Sequence, residues 1–173
     1  MMTAVQLPAY LRQGNIQEDE ILLTLDTLQQ ALCDCASNAL RNVRICTPDL
    51  EADIYDHQPF ADALLGFVRG NRNARIQILL RDSSRAIKQG HRLIRLAQNI
   101  SSSMEIRKTP AAEKFLDDSF LIADMSRFVY RSPGQHAGVC NKNCKHRAHK
   151  LLDMFIPVWD MAEPDIDTRR LSL

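Results

Sequence analysis

Four residues near the C-terminal end, Cys140-x3-Cys144-x-His146-x2-His149, have the side-chain types of a zinc site. Helical geometry works against them. If a helix already includes Cys144, His146 lies about 200° and His149 about 140° around the axis, so the histidines share a face that Cys144 opposes. A closed site needs the helix to begin after Cys144, and the spacing matches no common finger pattern. The expectation is no metal and no cofactor. His91 is the other histidine of interest, lying beside Gly90 between Ile87 and Ile94. It could serve as an acid/base or phosphate ligand with Asp82 or Asp117. The favoured reading is plainer, a helix-face histidine bonded to a neighbouring loop. Arg81, Arg85 and a serine-capped helix start at Ser83 or Ser84 could hold an anion on free N–H groups, although Asp82 in the same turn repels one. Arg107 and Arg131, at the ends of two other strands, could complete the pocket. Alternatively these arginines pair with Asp49, Asp117 or Asp118 in an ion-pair network, and this is the favoured arrangement.

These residues sit on a chain of 173 residues whose net charge of +1 conceals strong segregation. Residues 17–56 hold nine acidic and two basic residues, residues 69–108 ten basic and two acidic, and residues 125–152 six basic and none acidic. Such blocks suggest an anionic partner or an oppositely charged protein surface. Lys142, Lys145, Arg147 and Lys150 form the densest basic run, read mainly as a solvated face and secondarily as a nucleic-acid contact. An apolar content of 45% excludes disorder, and 6 Gly with 7 Pro exclude collagen-like or linker composition. No stretch approaches the 18 apolar residues of a membrane span, and Met1 to Gln17 has no signal-peptide pattern. Five cysteines, with Cys33 and Cys35 unable to bridge within a helix, point to a reduced, cytoplasmic protein.

The elements that must position these groups alternate strand and helix. Asn15 with Glu18 predicts a capped helix whose stripe is Ile21, Leu25, Leu28, Leu32, Cys35 and Ala39. Val43–Thr47 reads as a strand, followed by a helix from about Pro59 to Gly70. Arg75–Arg81 is the strongest strand pattern, with Ile76, Ile78 and Leu80 on one face and Leu79 on the other. A single helix is then predicted from Ser83 or Ser84 to about Asn99, with Gly90 on its inner stripe allowing close approach to the sheet. Met104–Lys108 is a strand, and Phe120–Ala123 with Phe128–Arg131 a hairpin around Asp124-Met125-Ser126. Ser132–Asn143 reads as a mobile loop, and a last helix starts near Lys145, kinked or shortened by Pro157. The expected architecture is α/β: one domain over 15–163 with a mixed, mostly parallel sheet and flanking helices, between a flexible N-terminus (1–14) and a tail (164–173). In such sheets ligands favour the strands' carboxyl ends. Here that edge collects Asp49, Arg81–Ser84, Arg107, Lys108 and the polar stretch from Glu113 to Ser119.

The run Asp117-Asp118-Ser119-Phe120-Leu121-Ile122-Ala123-Asp124 resembles one half of the phospholipase D superfamily, in which a strand ends in the Asp of His-x-Lys-x4-Asp. Asp124 stands where the motif Asp would be, Ser119 replaces the Lys and Asp117 replaces the His. The resemblance covers roughly residues 43–161. Thr47-Pro48-Asp49-Leu50, Ile78–Asp82 and Gly90–Leu93 also resemble small uncharacterised bacterial proteins of this fold, found alone or beside acetyltransferase domains. The family's His forms a covalent phosphohistidine and its Lys neutralises the phosphate. With Asp117 and Ser119 in their places, the resemblance implies a phospholipase D-like fold without that catalysis, and Asp124 as a structural acceptor. The family's pairing of two halves across a cleft implies a homodimer. The expected function is a non-catalytic binding or interaction module with an anionic or polar ligand at Asp49, Arg81, Asp82, Ser83, His91, Arg107, Asp117 and Arg131. Alternatives are a phosphate-ester hydrolase or transferase rebuilt on His91 with Asp117 or Asp82, and nucleic-acid binding through residues 142–150.

Overall fold

In the computed structural model, which describes residues 5–110, 117–132 and 134–170, eight strands form one sheet in the order β1-β7-β6-β5-β2-β3-β4-β8. Three strands lie where the apolar alternation predicts: β2 (Asn42–Cys46), β3 (Arg75–Leu80) and β4 (Met104–Lys108). They are the parallel part, with β2 beside β3 and β3 beside β4. The hairpin is β5 (Ser119–Ala123) and β6 (Arg127–Arg131). β1 (Glu20–Leu22), β7 (Gly138–Asn141) and β8 (Glu163–Pro164) complete the sheet.

The sheet is mixed but not mostly parallel: five of its seven pairings are antiparallel. The short links between β5, β6 and β7 leave no room for a crossover, so those strands reverse direction. β7 lies inside the stretch read as a loop, and all four of its residues are buried. Gly138 hides the strand signal because it brings no side chain, yet the ladder requires it. A Cβ there would lie 2.3 Å from the Tyr130 carbonyl oxygen.

Helix α1 runs Leu25–Ser37, ten residues after the cap expected at Asn15. Thr24 and Thr27 form a reciprocal capping box, while the Asn15 side chain accepts the Gln17 N–H (3.2 Å) outside any helix and Ile21 is a half-exposed strand residue. Leu25, Leu28, Leu32 and Cys35 of the predicted stripe lie on α1, the last three buried, while Ala39 falls beyond its end. α2 (Ala52–Tyr55) and α3 (Gln58–Gly70) follow β2.

The helix predicted from Ser83 to Asn99 is two, α4 (Ser84–Lys88) and α5 (Arg92–Asn99). Gly90, at φ +64°, ends α4 in a Schellman arrangement: its N–H reaches the Ile87 carbonyl and the His91 N–H the Ala86 carbonyl. Nothing lies within 4 Å of the Cβ it lacks, so the left-handed backbone, not close approach, accounts for this glycine. α6 (Lys145–Met161) carries Pro157 within it and is not cut short there. Beyond it the chain is built in as far as Arg170, where a tail was expected. β8 pairs with β4, the Asp165 N–H reaches the Ile106 carbonyl (2.9 Å), and Asp165 caps α7 (Ile166–Arg169). At the other end a 3-10 turn, Ala9–Leu11, buries Leu11 completely.

The two-residue period sorts the core into two layers. Val43, Ile45, Ile76, Ile78, Leu80, Leu121 and Val129 face α1, α3 and α5. Cys46, Leu79, Phe120, Ile122, Phe128 and Tyr130 face α6 and the N-terminal turn.

Candidate binding rim at the carboxyl edge of the parallel strands

β2 and β3 end at the edge where β5 begins and β6 ends. After β2 the chain turns at Thr47-Pro48-Asp49-Leu50. The Thr47 Oγ1 accepts the Leu50 N–H (3.3 Å), and Leu50 is held at φ +56°, a left-handed backbone that a branched side chain rarely adopts. The Pro48 carbonyl accepts the N–H groups of both Arg81 (2.9 Å) and Asp82 (3.1 Å), which locks this turn to the end of β3. Asp82 then caps α4, its Oδ1 accepting the Ser84 N–H (3.0 Å) and hydroxyl (2.6 Å), and those bonds hold its carboxyl below the usual range. Ser83 is buried and makes no side-chain cap bond.

The rim arginines are paired. Arg85 lies 3.7 Å from Asp49, and Arg81 lies 3.3 Å from Asp117, whose side chain is 84% exposed. Arg131 is the buried member, at 5% exposure. Its Nη2 meets Glu51 Oε2 (2.5 Å) and donates to Ser119 Oγ (3.1 Å), while its Nη1 donates to the Gln135 carbonyl (2.8 Å). Burial pushes the Glu51 carboxyl up, against the pull of Arg131. Beside this group, Asp118 accepts the hydroxyls of Tyr10 and Tyr130 (2.8 Å for the latter). Burial and this carboxylate raise both phenols.

Asp49, Arg81, Asp82, Ser83, Asp117, Ser119 and Arg131 therefore gather along one edge, but Arg107 does not join them. It turns to α6, stacking on Trp159 at 4.5 Å and donating to the Trp159 carbonyl and to Glu105 (both 3.0 Å). Glu113, expected on this rim, lies outside the described residues. His91 sits beneath the rim, fully buried, as the cap of α5: its Nδ1 accepts the Leu93 N–H (3.1 Å) and its other nitrogen faces the Leu50 carbonyl. Burial lowers its pKa, and the carboxylate acting on it is Asp56, not Asp82 or Asp117. The plainer reading places this histidine on a helix face; it is instead the residue that starts α5, with its Nδ1 spent on that helix's own first turn.

The Cys/His set is divided by the sheet. Cys140 faces the α1 layer, close to Cys35, whereas Cys144 faces the α6 layer and takes a bond from Arg147 Nε (3.4 Å). α6 does begin after Cys144, yet among the described residues no three His, Cys, Asp or Glu side chains converge as a metal site. Arg147 is not part of a solvated basic face. It is completely buried, bound to Asp19 and to the Leu11 (3.3 Å) and Asn15 (3.0 Å) carbonyls. Lys142, Lys145, His146, His149 and Lys150 remain exposed.

Asp124, at the far end of β5, has φ +56° and accepts the N–H groups of Leu40 (2.9 Å), Arg41 (2.8 Å) and Asn42 (3.1 Å). It ties the β5–β6 turn to the start of β2 and is structural. Glu51 and Tyr10 are the site members that residue-type reasoning missed, and Asp118, expected as a partner of the arginines, is bonded by the two tyrosine hydroxyls instead; no spacing in the sequence links these groups to their partners.

Several solved structures share this fold. NucT from Helicobacter pylori superposes with TM-score 0.64 at 10% identity, covering 85% of this chain and 98% of that one. Nuc, a phospholipase D family member from Salmonella typhimurium, gives 0.62 at 12% identity, covering 85% and 97%. TrmBL2, an archaeal chromatin protein described with a novel mode of DNA binding, gives 0.63 at 14% identity, covering 90% of this chain. The chain spans about 57% of the TrmBL2 length. The fold is therefore phospholipase D-like. No curated protein matches the sequence. Within that fold the chain belongs to the family described as a domain of unknown function, DUF7931, whose model matches residues 24–171.

Proposed function

We propose that this protein is a non-catalytic phospholipase D-like module that binds a polar or anionic ligand at its rim. The observation that carries the reading is Ser119, at the position corresponding to the motif lysine. It is 1% exposed and its hydroxyl is bonded by Arg131, which is itself bound to Glu51. Asp117, at the position of the motif histidine, is an exposed carboxylate paired with Arg81. A carboxylate there repels a phosphodiester, and a serine without charge neutralises none. The rebuilt hydrolase on His91 with Asp82 or Asp117 has less support, because His91 is buried and spends its Nδ1 on capping α5. Ligand entry at the rim exchanges the ion pairs of Arg81 and Arg85 for bonds to the ligand.

Two measurements test this. Incubation with bis(p-nitrophenyl) phosphate and with DNA gives no hydrolysis; turnover that Asp117→Ala or His91→Asn abolishes overturns the non-catalytic half. Scanning calorimetry with phosphate, nucleotides and short oligonucleotides raises the melting temperature with at least one of them. No shift with any overturns the ligand half.

A second reading, nucleic-acid binding, is favoured by exposed Lys142, Lys145 and Lys150 at the start of α6 and by the likeness to a DNA-binding chromatin protein. It requires affinity that falls steeply with salt, and flat binding between low and moderate salt removes it. The same basic surface would suit the acidic α1 of a second copy in a homodimer, which sedimentation at two ionic strengths tests. Five free cysteines, four of them buried, suit a reducing cytoplasm. Among the described residues no helix is long and apolar enough to cross a membrane.

A further inference from the structure

The rim arginines face carboxylates, but elsewhere the fold leaves two guanidiniums uncompensated over a cavity. A cleft of about 470 Å³ opens between the α4–α5 turn and the chain segment that carries α7. That volume is within the roughly 300–1,000 Å³ usual for small-molecule sites. Its apolar side includes Ile87 and Ile94. Arg95, from α5, and Arg170, just after α7, line it from opposite elements and are both exposed. Among the described residues neither guanidinium has a hydrogen-bond or ion-pair partner. Among the described residues Asp167 is the one carboxylate on the lining, so those residues leave it net positive.

The backbone that presents Arg170 is fixed from the opposite wall. Gln98 Nε2 donates to both the Thr168 carbonyl (2.9 Å) and the Arg170 carbonyl (3.0 Å). That bond pair spends the amide donor and leaves the Gln98 Oε1 as an acceptor on the lining. Two forked cations at the mouth of a half-apolar cavity match a planar, partly apolar molecule carrying a phosphate monoester, since guanidinium takes phosphate oxygens in a bidentate fashion.

We propose that this cleft binds a mononucleotide, its phosphate held by Arg95 and Arg170 and its base laid against Ile87 and Ile94. The site is separate from the rim, so it stands whether or not the rim takes a ligand.

Isothermal titration of the full chain with AMP, GMP, CMP and UMP, and with the four matching nucleosides, tests it. At least one mononucleotide binds saturably, and its nucleoside binds at least tenfold more weakly. Arg95→Ala and Arg170→Ala each weaken binding tenfold or more, Arg95→Lys less, and the exposed Arg72→Ala not at all. Both arginines are on the surface, so circular dichroism should show the variants folded. Saturable binding by none of the four mononucleotides overturns the proposal. So does unchanged affinity in both alanine variants, or a loss confined to Arg81→Ala, which moves the ligand to the rim.

Discussion

Arg147 and Arg131 are both buried guanidiniums bound to a carboxylate, yet their surroundings differ. Arg147 uses every nitrogen: Nε on Cys144, Nη1 and Nη2 on Asp19 and on the Leu11 and Asn15 carbonyls, with the Phe128 ring 5.0 Å away. Arg131 has Glu51, Ser119 and the Gln135 carbonyl, but among the described residues its buried Nε has no partner. The first arginine joins the N-terminal segment to α6 and is saturated. The second closes the rim and is not. A buried cation contributes most where each donor is met, and an incompletely met one can more readily change partners.

Breaking the saturated pair is the severest test of that contrast. Arg147→Ala leaves a buried void and the Leu11 carbonyl without its donor, and leaves Asp19 with only the Asn141 amide, at an expected cost of about 3–5 kcal/mol in urea unfolding. Arg131→Ala should cost less, about 1–3 kcal/mol, because the Glu51 carboxyl is already pushed up by burial and can take a proton. Repeating the second measurement near pH 5 should shrink the difference from wild type. Equal costs for the two variants would dissolve the comparison.

His91 gives a pH signature under the same rim. Burial depresses its pKa in the folded protein, so the unfolded chain takes the proton first, near pH 6.5. Stability therefore falls as pH drops below about 6.5, and His57, also lowered by burial, adds to the slope. His91→Asn, which can still cap α5, should flatten the urea midpoint between pH 7 and 5.5 without abolishing its dependence. The smallest effect belongs to the exposed Arg81–Asp117 pair. Asp117→Ala should change stability by no more than about 0.5 kcal/mol.

Much of the architecture was legible because hydrophobic period is local. Ile76, Ile78 and Leu80 on one face with Leu79 on the other, or Leu28, Leu32 and Cys35 on a helix, need only their neighbours in the chain. β1, β7 and β8 were not legible. They are two to four residues long, and Gly138 and Pro164 carry no strand preference, so pairing alone makes them strands. The split of α4 from α5 was within reach, since Gly90-His91 is a helix stop followed by a capping residue. The stripe through Ala86, Leu93 and Ala97 masked it. Sequence picked out Arg131 at the rim and Asp124 at the opposite end of β5, but not Glu51 or Asp19, which meet their arginines across 80 and 128 positions of chain. No periodicity connects positions that far apart.

The sheet's two margins carry a last consequence. One ends in three residues of β1, the other in two residues of β8, the second of them a proline with no N–H to offer. Each margin is supplied by a different end of the chain, and neither presents a long row of open backbone groups to a neighbour. Sideways growth from sheet to sheet, the route toward fibrils, is discouraged at both borders. Two copies that associate would therefore meet through helices and side chains, where charge sets the register, and salt should loosen them.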